Sequence, residues 1–370
     1  MTEETLDIVA VGDIILGPNP EPYFADVLPT LRQAAVAVGQ LEVPHTERDA
    51  EAVRWGRTPD RLAILRDVGF DVLTLAGNHI WDAGVAGIED TLAALQNYAL
   101  PAVGAGMNLD EARFPVVLER GGTCFGFLNY NCVGPKETWA TRDRSGCAYV
   151  HIITHYELDH ATPGGPPTIY TWAEPETTAM MVEDIKRLRA RCDVLVVSFH
   201  KGIAHTPVAL AAYERQVSHA AIDAGADLVL GHHAHILKGI ELYQGKAIFH
   251  GLCNFVTYLP FLAPRLDEDP HSWASRRRKL FGFEPDPEYP TYPFHPEAIF
   301  TIIGRCIVKE RQIADIRFIP CLINKEGHPK ITGRDAQGQK VFDYMEKITR
   351  EAGLSVSFEW KGNEVGVCGE

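Results

Sequence analysis

Apolar positions along this chain follow two patterns that alternate. The stretches Leu6–Asp13, Ala35–Val43, Asp71–Asn78, Cys124–Asn131, Asp193–His200, Asp227–His233 and Lys246–Phe255 are short and nearly continuously apolar, and each runs out in small or polar residues. Such runs predict strands buried on both faces. Between them, Pro59–Gly69, Ala86–Tyr98, Thr178–Cys192 and Val208–Gly225 repeat apolar residues at helical spacing, and Gly225 supplies a helix stop before the next strand. Buried strands alternating with amphipathic helices predict an α/β domain whose chemistry sits at the strand ends. Two segments break the rhythm. Residues 133–175 carry Gly, Pro, aromatics and His, and residues 257–297 are rich in proline and contain Trp273 and the basic run Arg276–Lys279. Loops this long in a compact domain are commonly lids. The strand pattern resumes at 298–308 and 313–321, and a helix is predicted near Asp335–Gly353. The expected organisation is one domain over 1–325 with lids at about 133–175 and 257–297, and a carboxyl-terminal helix and tail, 326–370, packed on it.

Composition narrows the classes. A hydrophobic content of 46% in 370 residues is enough for a sizeable core, and a formal net charge of −14 argues against sequence-independent hold on nucleic acid or anionic lipid. The amino terminus lacks a charged region followed by an apolar one, and no stretch has the apolar length of a membrane span, which predicts a cytoplasmic protein. The eight cysteines show no CxxC pairing and read as reduced thiols.

The chemistry is concentrated where strands end. Gly12-Asp13, Gln40-Leu41-Glu42, Gly77-Asn78-His79 with Asp82, His200-Lys201-Gly202, Gly231-His232-His233-Ala234-His235 and Cys253-Asn254 each place a metal-binding side chain type at such a point. In extended chain, positions i and i+2 share a side, so His233 and His235 are expected to face one centre, with His232 turned away. Asn78 offers a carbonyl ligand, and His79 is placed to give or take a proton. Asp82, three residues on, orients that imidazole or else caps the next helix. His205 and His250 lie near motif loops; His151, His155, His160, His219, His271 and His328 have no such setting.

In order and residue type, VGDIILG, QLEVPHT, AGNHIWDAG, VSFHKG, GHHAHILKGIE and FHGLCNFV resemble the CapA-like proteins of the calcineurin-like metallophosphoesterase superfamily. The resemblance covers residues 6–260, more weakly to about 320. It implies a four-layer αββα sandwich with long inserted loops, and one or two divalent cations (Ca, Mn, Zn or Fe) near Asp13, Glu42, Asn78, His200, His233 and His235. The superfamily usually carries Asp-x-His in its first motif, where this chain has Ile15, so one ligand of a dinuclear centre is missing. Membrane-tethered capsule proteins fit this chain less well than a smaller soluble branch, the stand-alone peptide epimerases of lasso-peptide biosynthesis. Those invert the Cα of a carboxyl-terminal Trp in a ribosomal precursor peptide.

Epimerisation without pyridoxal needs a base on one face of the carbon, an acid on the other and a cation near the carbonyl. Two His/Asp sets are candidates, His79 with Asp82, and Asp13 with His295 carried in by the loop Tyr292-Pro293-Phe294-His295-Pro296. Which carboxylate partners which imidazole stays open. Trp81, Lys201, Trp273, Arg276, Arg277 and Phe294 are the expected peptide contacts. The alternatives are a metal-dependent phosphoesterase or related hydrolase, in which His79 protonates a leaving group, and a catalytically silent peptide-binding module.

Overall fold

The computed structural model describes residues 5–158, 167–265 and 267–369. Sixteen strands build two large sheets: β1 Leu6–Ile15, β2 Val36–Leu41, β3 Val72–Thr74, β4 Ala102–Val103, β5 Val116–Arg120, β6 Thr123–Asn131, β7 Val194–Lys201, β8 Leu228–His233, β9 Ile240–Tyr243, β10 Lys246–Phe249, β11 Asn254–Thr257, β12 Phe300–Lys309, β13 Gln312–Ile323, β14 Pro329–Ile331, β15 Val356–Lys361 and β16 Glu364–Gly369. The first sheet has the order β15-β16-β13-β12-β1-β2-β3-β4, with β11 also on β1 and β14 on β13; the second runs β9-β10-β8-β7-β6-β5. The central neighbours β1, β2 and β3 are parallel, as are β6, β7 and β8, so their carboxyl-terminal ends open at one edge of each sheet.

Side-chain alternation divides these strands between three cores. Ile8, Ala10, Val36, Val38 and Val72 from the first sheet pack with Phe125, Phe127, Val194, Val196, Leu228 and Leu230 from the second. The intervening residues Val9, Val11, Ala37 and Leu73 face outward onto Leu65, Phe70, Ile88 and Leu95, from the helical segments beside them. On the other side Leu128, Tyr130, Leu195, Val197 and Val229 meet Met181, Ile185, Leu188, Val217 and Ala221. Helix, sheet, sheet, helix is the resulting sequence of layers, and burial on both faces explains why the strand runs are continuously apolar.

The principal helices are α1 Gly84–Asn97, α2 Pro175–Arg189, α3 Ala212–Ala224, α4 Pro270–Phe281 and α5 Ala336–Glu351. The helix expected from Val208 begins only at Ala212, because Val208 sits at φ 64° and the Ala209 carbonyl accepts from the Lys238 ammonium at 2.9 Å. Pro59–Gly69 forms a 3-10 turn, Pro59–Leu62, followed by a short helix, Ala63–Asp67. Both expected lids carry regular structure. The first contains an antiparallel pair, Ile152–Glu157 with Thr168–Ala173, and residues 159–166, His160 included, lie outside the described residues. The second contains α4, capped by the Asp269 carboxylate accepting from Ser272 N–H at 2.9 Å and ended by Gly282 at φ 80°. Beyond 326 the chain adds more than a helix and tail. Strands β14, β15 and β16 extend the first sheet, and Val341, Tyr344, Met345 and Ile348 of α5 join the core between the sheets.

Candidate metal centre

Asp13 lies at the end of β1 opposite Asn254 of β11 and Gln40 of β2, and its N–H donates to the Cys253 carbonyl at 3.0 Å. Gly12 is needed for that approach, since a Cβ there would stand 2.1 Å from the Cys253 carbonyl oxygen. Glu42 follows β2, held by its N–H on the Ile14 carbonyl at 3.1 Å. Asp13 and Glu42 are both wholly buried. His200 sits near the end of β7, with Nε2 2.6 Å from Asn78 Oδ1, and its ring centroid is 4.9 Å from that of His233. His235 places Nε2 3.3 Å from Glu42 Oε1 and Nδ1 3.6 Å from Asp13 Oδ2. Asp13, Glu42 and His235 each offer a ligand atom within 4.8 Å of the others.

The reason His233 and His235 converge differs from the expected one. Strand β8 ends at His233, and the two residues take φ values of 84° and 51°, so a left-handed turn rather than extended parity aims them. His232 is corrected accordingly. It is the register partner of His200 in a parallel pair and shares its face, and its Nδ1 lies 3.3 Å from Asp13 Oδ1.

Charge in the cluster is mutually adjusted. Burial and the Glu42 carboxylate raise the Asp13 carboxyl above its ordinary value. Burial would raise Glu42 too, but the His235 charge overrides it and holds Glu42 low. His235 in turn rises to about 9, since Glu42 outweighs its burial. Burial and His235 push His233 down to about 3, and burial with His233 holds His200 well below the usual imidazole range. Several of these buried polar atoms have no hydrogen-bond partner among the described residues: Asp13 Oδ1, both Glu42 oxygens, His200 Nδ1, His232 Nδ1 and Nε2, and His233 Nδ1. Desolvated carboxylates and imidazoles left unpaired around one point fit a divalent cation, which would satisfy them.

Asn254, one of the strand-end motif residues, and Tyr292, which the sequence marks only as part of the loop before His295, support the cluster. The Asn254 amide Nδ2 donates to the Tyr292 hydroxyl at 2.9 Å, which donates to the Ala298 carbonyl at 2.9 Å. That fixes Asn254 Oδ1 as the acceptor for His235 Nδ1–H at 2.8 Å and leaves His235 Nε2 facing Glu42. His205, near a motif loop in the sequence, joins the cluster: at φ 55° it stacks on His235 at 5.4 Å between centroids.

Two further imidazoles flank the cluster. His79 Nδ1 bonds Asp82 Oδ2 at 2.8 Å, with 42% and 44% of the two side chains exposed. Although burial opposes it, the bond to Asp82 raises His79 above the ordinary value. His295, half-buried, accepts the Glu297 N–H on Nδ1 at 3.1 Å, and burial lowers its value. Among the described residues no hydrogen bond or ion pair joins Asp13 to His295, so the second suggested pairing is not formed; Phe283 stands beside His295 at 5.7 Å and beside His205 at 4.8 Å.

The expected peptide contacts divide. Phe294 packs against His235 at 5.4 Å, and Trp81 lies under the Arg144 guanidinium at 5.5 Å. Lys201 does not face the site's opening: it is wholly buried, 3.1 Å from His250 Nδ1 and 3.6 Å from Glu214. His250 completes that network on Glu241 at 2.8 Å. Trp273 is wholly buried, its Nε1–H on the Leu262 carbonyl at 2.9 Å, and anchors α4 instead of meeting a ligand. Arg276 is tied to Glu268 at 2.8 Å, and the buried Arg277 lies 3.9 Å from the Phe281 ring centroid.

The chain is 30% identical over 271 residues to the PGA biosynthesis protein CapA of Bacillus subtilis (strain 168), covering 69% of this chain and 64% of that one. It is 24% identical over 270 residues to the capsule biosynthesis protein CapA of Bacillus anthracis, covering 68% and 60%. It therefore spans somewhat under two thirds of the length of these relatives. Among solved structures it is similar to the calcineurin-like phosphoesterase YfkN of Bacillus subtilis, at TM-score 0.44 and 14% identity over 94% of this chain and 98% of that one. It is also similar to a phosphatase of Mycoplasma pneumoniae, at TM-score 0.46 and 12% identity over 87% and 95%. The helix, sheet, sheet, helix layers define the fold. Among the described residues no helix is long and apolar enough to cross a membrane. Residues 7–258 match the family described as bacterial capsule synthesis protein PGA_cap, and the chain belongs to that family.

Proposed function

We propose that this protein is a metal-dependent peptide epimerase that inverts the Cα of the carboxyl-terminal residue, a Trp, of a ribosomal (lasso) precursor peptide. The observation that carries the reading is that two imidazoles sit on segments entering from opposite sides of the strand order around Asp13 and Glu42. In the order β12-β1-β2-β3, Asp13 and Glu42 end the two middle strands, His79 follows β3, and His295 precedes β12, which runs antiparallel to β1 and so begins beside its end. The two rings are also set up for opposite tasks. With Nδ1–H given to Asp82, His79 presents a lone pair on Nε2; with Nδ1 accepting from Glu297, neutral His295 carries its proton on Nε2. One can remove a proton from a carbon held between them while the other returns one to the opposite face.

Asp13, Glu42, His233 and His235 would hold the cation, with Asn78 and His200 beside them. Bound there, a cation supplies electrostatic stabilisation of negative charge developing on a carbonyl or carboxylate oxygen. The second reading, phosphoester hydrolysis, is favoured by the His79–Asp82 pair, which suits a leaving-group acid as well as a base. The absence of a His at Ile15 weighs against a full two-metal site.

The test is incubation with a Trp-terminated precursor peptide in deuterium oxide, with and without chelator, read by mass spectrometry and chiral amino-acid analysis. A one-dalton gain with D-Trp, abolished by chelator, supports the proposal. No exchange, together with metal-dependent cleavage of bis(p-nitrophenyl) phosphate, returns the chain to the hydrolases.

A further inference from the structure

A cavity of about 720 Å³ reaches Asp82, the partner of His79, and is lined by Pro44 and three further parts of the chain. Residues 49–57 form one wall, Asp82 and Ala83 the floor beside His79, and 260–265 of the proline-rich insert the other wall. Its aromatic side is Trp55 against Phe261, ring centroids 5.3 Å apart, with the Arg54 guanidinium 4.7 Å from the Trp55 centroid. Phe261 is 50% exposed, a large apolar ring that the fold leaves open at the cavity mouth.

Arg57 is the unusual lining residue. It is only 8% exposed, yet among the described residues its guanidinium makes no side-chain hydrogen bond and no ion pair, and its Nε is buried without a partner. Its backbone is well fixed, the carbonyl accepting from Thr46 N–H at 2.9 Å and the N–H donating to the Ala52 carbonyl at 2.8 Å. Arg277, the other arginine buried to this depth among the described residues, also lacks an ion pair, but its guanidinium reaches the Pro293 carbonyl at 3.4 Å and lies 3.9 Å from the Phe281 ring centroid, whereas the Arg57 guanidinium has neither kind of contact. A largely buried cation without a partner is costly, and an anion in the cavity would complete it. Guanidinium geometry favours a carboxylate or phosphate oxyanion.

We propose that this cavity is the recognition pocket for the substrate's terminal residue, with Arg57 pairing to its carboxylate and Trp55 and Phe261 holding a flat aromatic side chain, so that the intervening Cα is presented toward His79. The proposal rests on the epimerase reading, but binding can be measured without turnover, so the two can fail separately. A carboxylate is favoured over a phosphate because the same cavity supplies an apolar aromatic wall, and because Asp49, Glu51 and Asp82 around the lining would repel a dianion more than a monoanion.

The experiment is fluorescence anisotropy with the labelled hexapeptide Gly-Ser-Gly-Ser-Gly-Trp, as free acid and as carboxyl-terminal amide, with inorganic phosphate as competitor, on the full chain. The acid is expected to bind at least about tenfold more tightly than the amide, a preference that Arg57→Gln removes. Arg57→Gln should also leave the thermal midpoint unchanged or raise it, as expected when an unpaired buried charge is deleted; a fall of several degrees would mark Arg57 as structural and overturn the proposal. Phe261→Ala, at an exposed position, should weaken the Trp-ended acid more than a Gly-ended one. Equal affinity for acid and amide, an acid preference that survives Arg57→Gln, or phosphate binding through Arg57 with no peptide binding would each overturn it. Peptide binding through Arg57 without Cα exchange would leave the pocket standing and remove the epimerase reading; exchange that is indifferent to Arg57→Gln would do the reverse.

Discussion

Replacing Asn254 by Ala tests how the cation cluster is held. Asn254 makes two buried hydrogen bonds, accepting from His235 Nδ1–H at 2.8 Å and donating to the Tyr292 hydroxyl at 2.9 Å. Tyr292 keeps its donor bond to Ala298, so the group left stranded is the His235 N–H. A buried donor without a partner costs roughly 1–3 kcal/mol. That cost is relieved if His235 reorients, which turns Nε2 away from Glu42 and from the cation's position. Loss of such a supporting bond weakens metal binding by about 10–100-fold. Isothermal calorimetry with Mn²⁺ and Zn²⁺ would measure this, alongside thermal unfolding in chelator to report the apo cost. Tyr292→Phe keeps the Asn254 amide but removes the acceptor that orients it, so affinity should fall less than in Asn254→Ala. Affinity unchanged in Asn254→Ala would refute the assignment of Asn254 as the residue that orients His235.

Asp82→Asn should lower the His79 value toward ordinary imidazole and reduce turnover by roughly 10–10³-fold with metal affinity retained, measurable by pairing rate assays with calorimetry; equal loss of metal would place Asp82 in the cation site instead. Stability should fall as pH drops from about 6.5 toward 4, because burial lowers His45 to about 4 and His250 to about 3, so the folded state must exclude protons that the unfolded chain binds. At pH 5 each contributes a loss on the order of 2 kcal/mol, which urea unfolding between pH 5 and 7 would show; a flat profile would contradict their neutral burial. Trp273→Ala removes a wholly buried ring and its bond to Leu262, costing about 3–5 kcal/mol locally, and proteolysis within 260–285 should accelerate well before the rest of the chain is cut.

The legible part of the sequence was the part where local pattern and burial agree. Continuous apolar runs ending in Gly-Asp, Gly-Asn-His and Ser-Phe-His located β1, β3 and β7 and the residues at their ends, because strands buried on both faces leave polar chemistry only at their tips. Parity along β8 misplaces His232 because it does not extend past the strand's end, where positive φ at His233 takes over. Helix α4 was hidden by proline and a basic run, although Asp269-Pro270 before it is a helix-start signal. Lys201 and Trp273 looked like ligand contacts from charge and aromaticity alone, and only tertiary packing shows them filled by Glu214, His250 and Leu262. Arg57 carried no motif at all; its interest lies in a partner it lacks, which no sequence pattern expresses.

The most direct test of two imidazoles acting on opposite faces is deuterium wash-in from each enantiomer separately, in His79→Gln and in His295→Gln. Each variant should stop exchange from one enantiomer of the terminal residue while leaving the other, and the two variants should stop opposite ones. Both variants silencing both enantiomers, or His295→Gln exchanging both at the native rate, would contradict it.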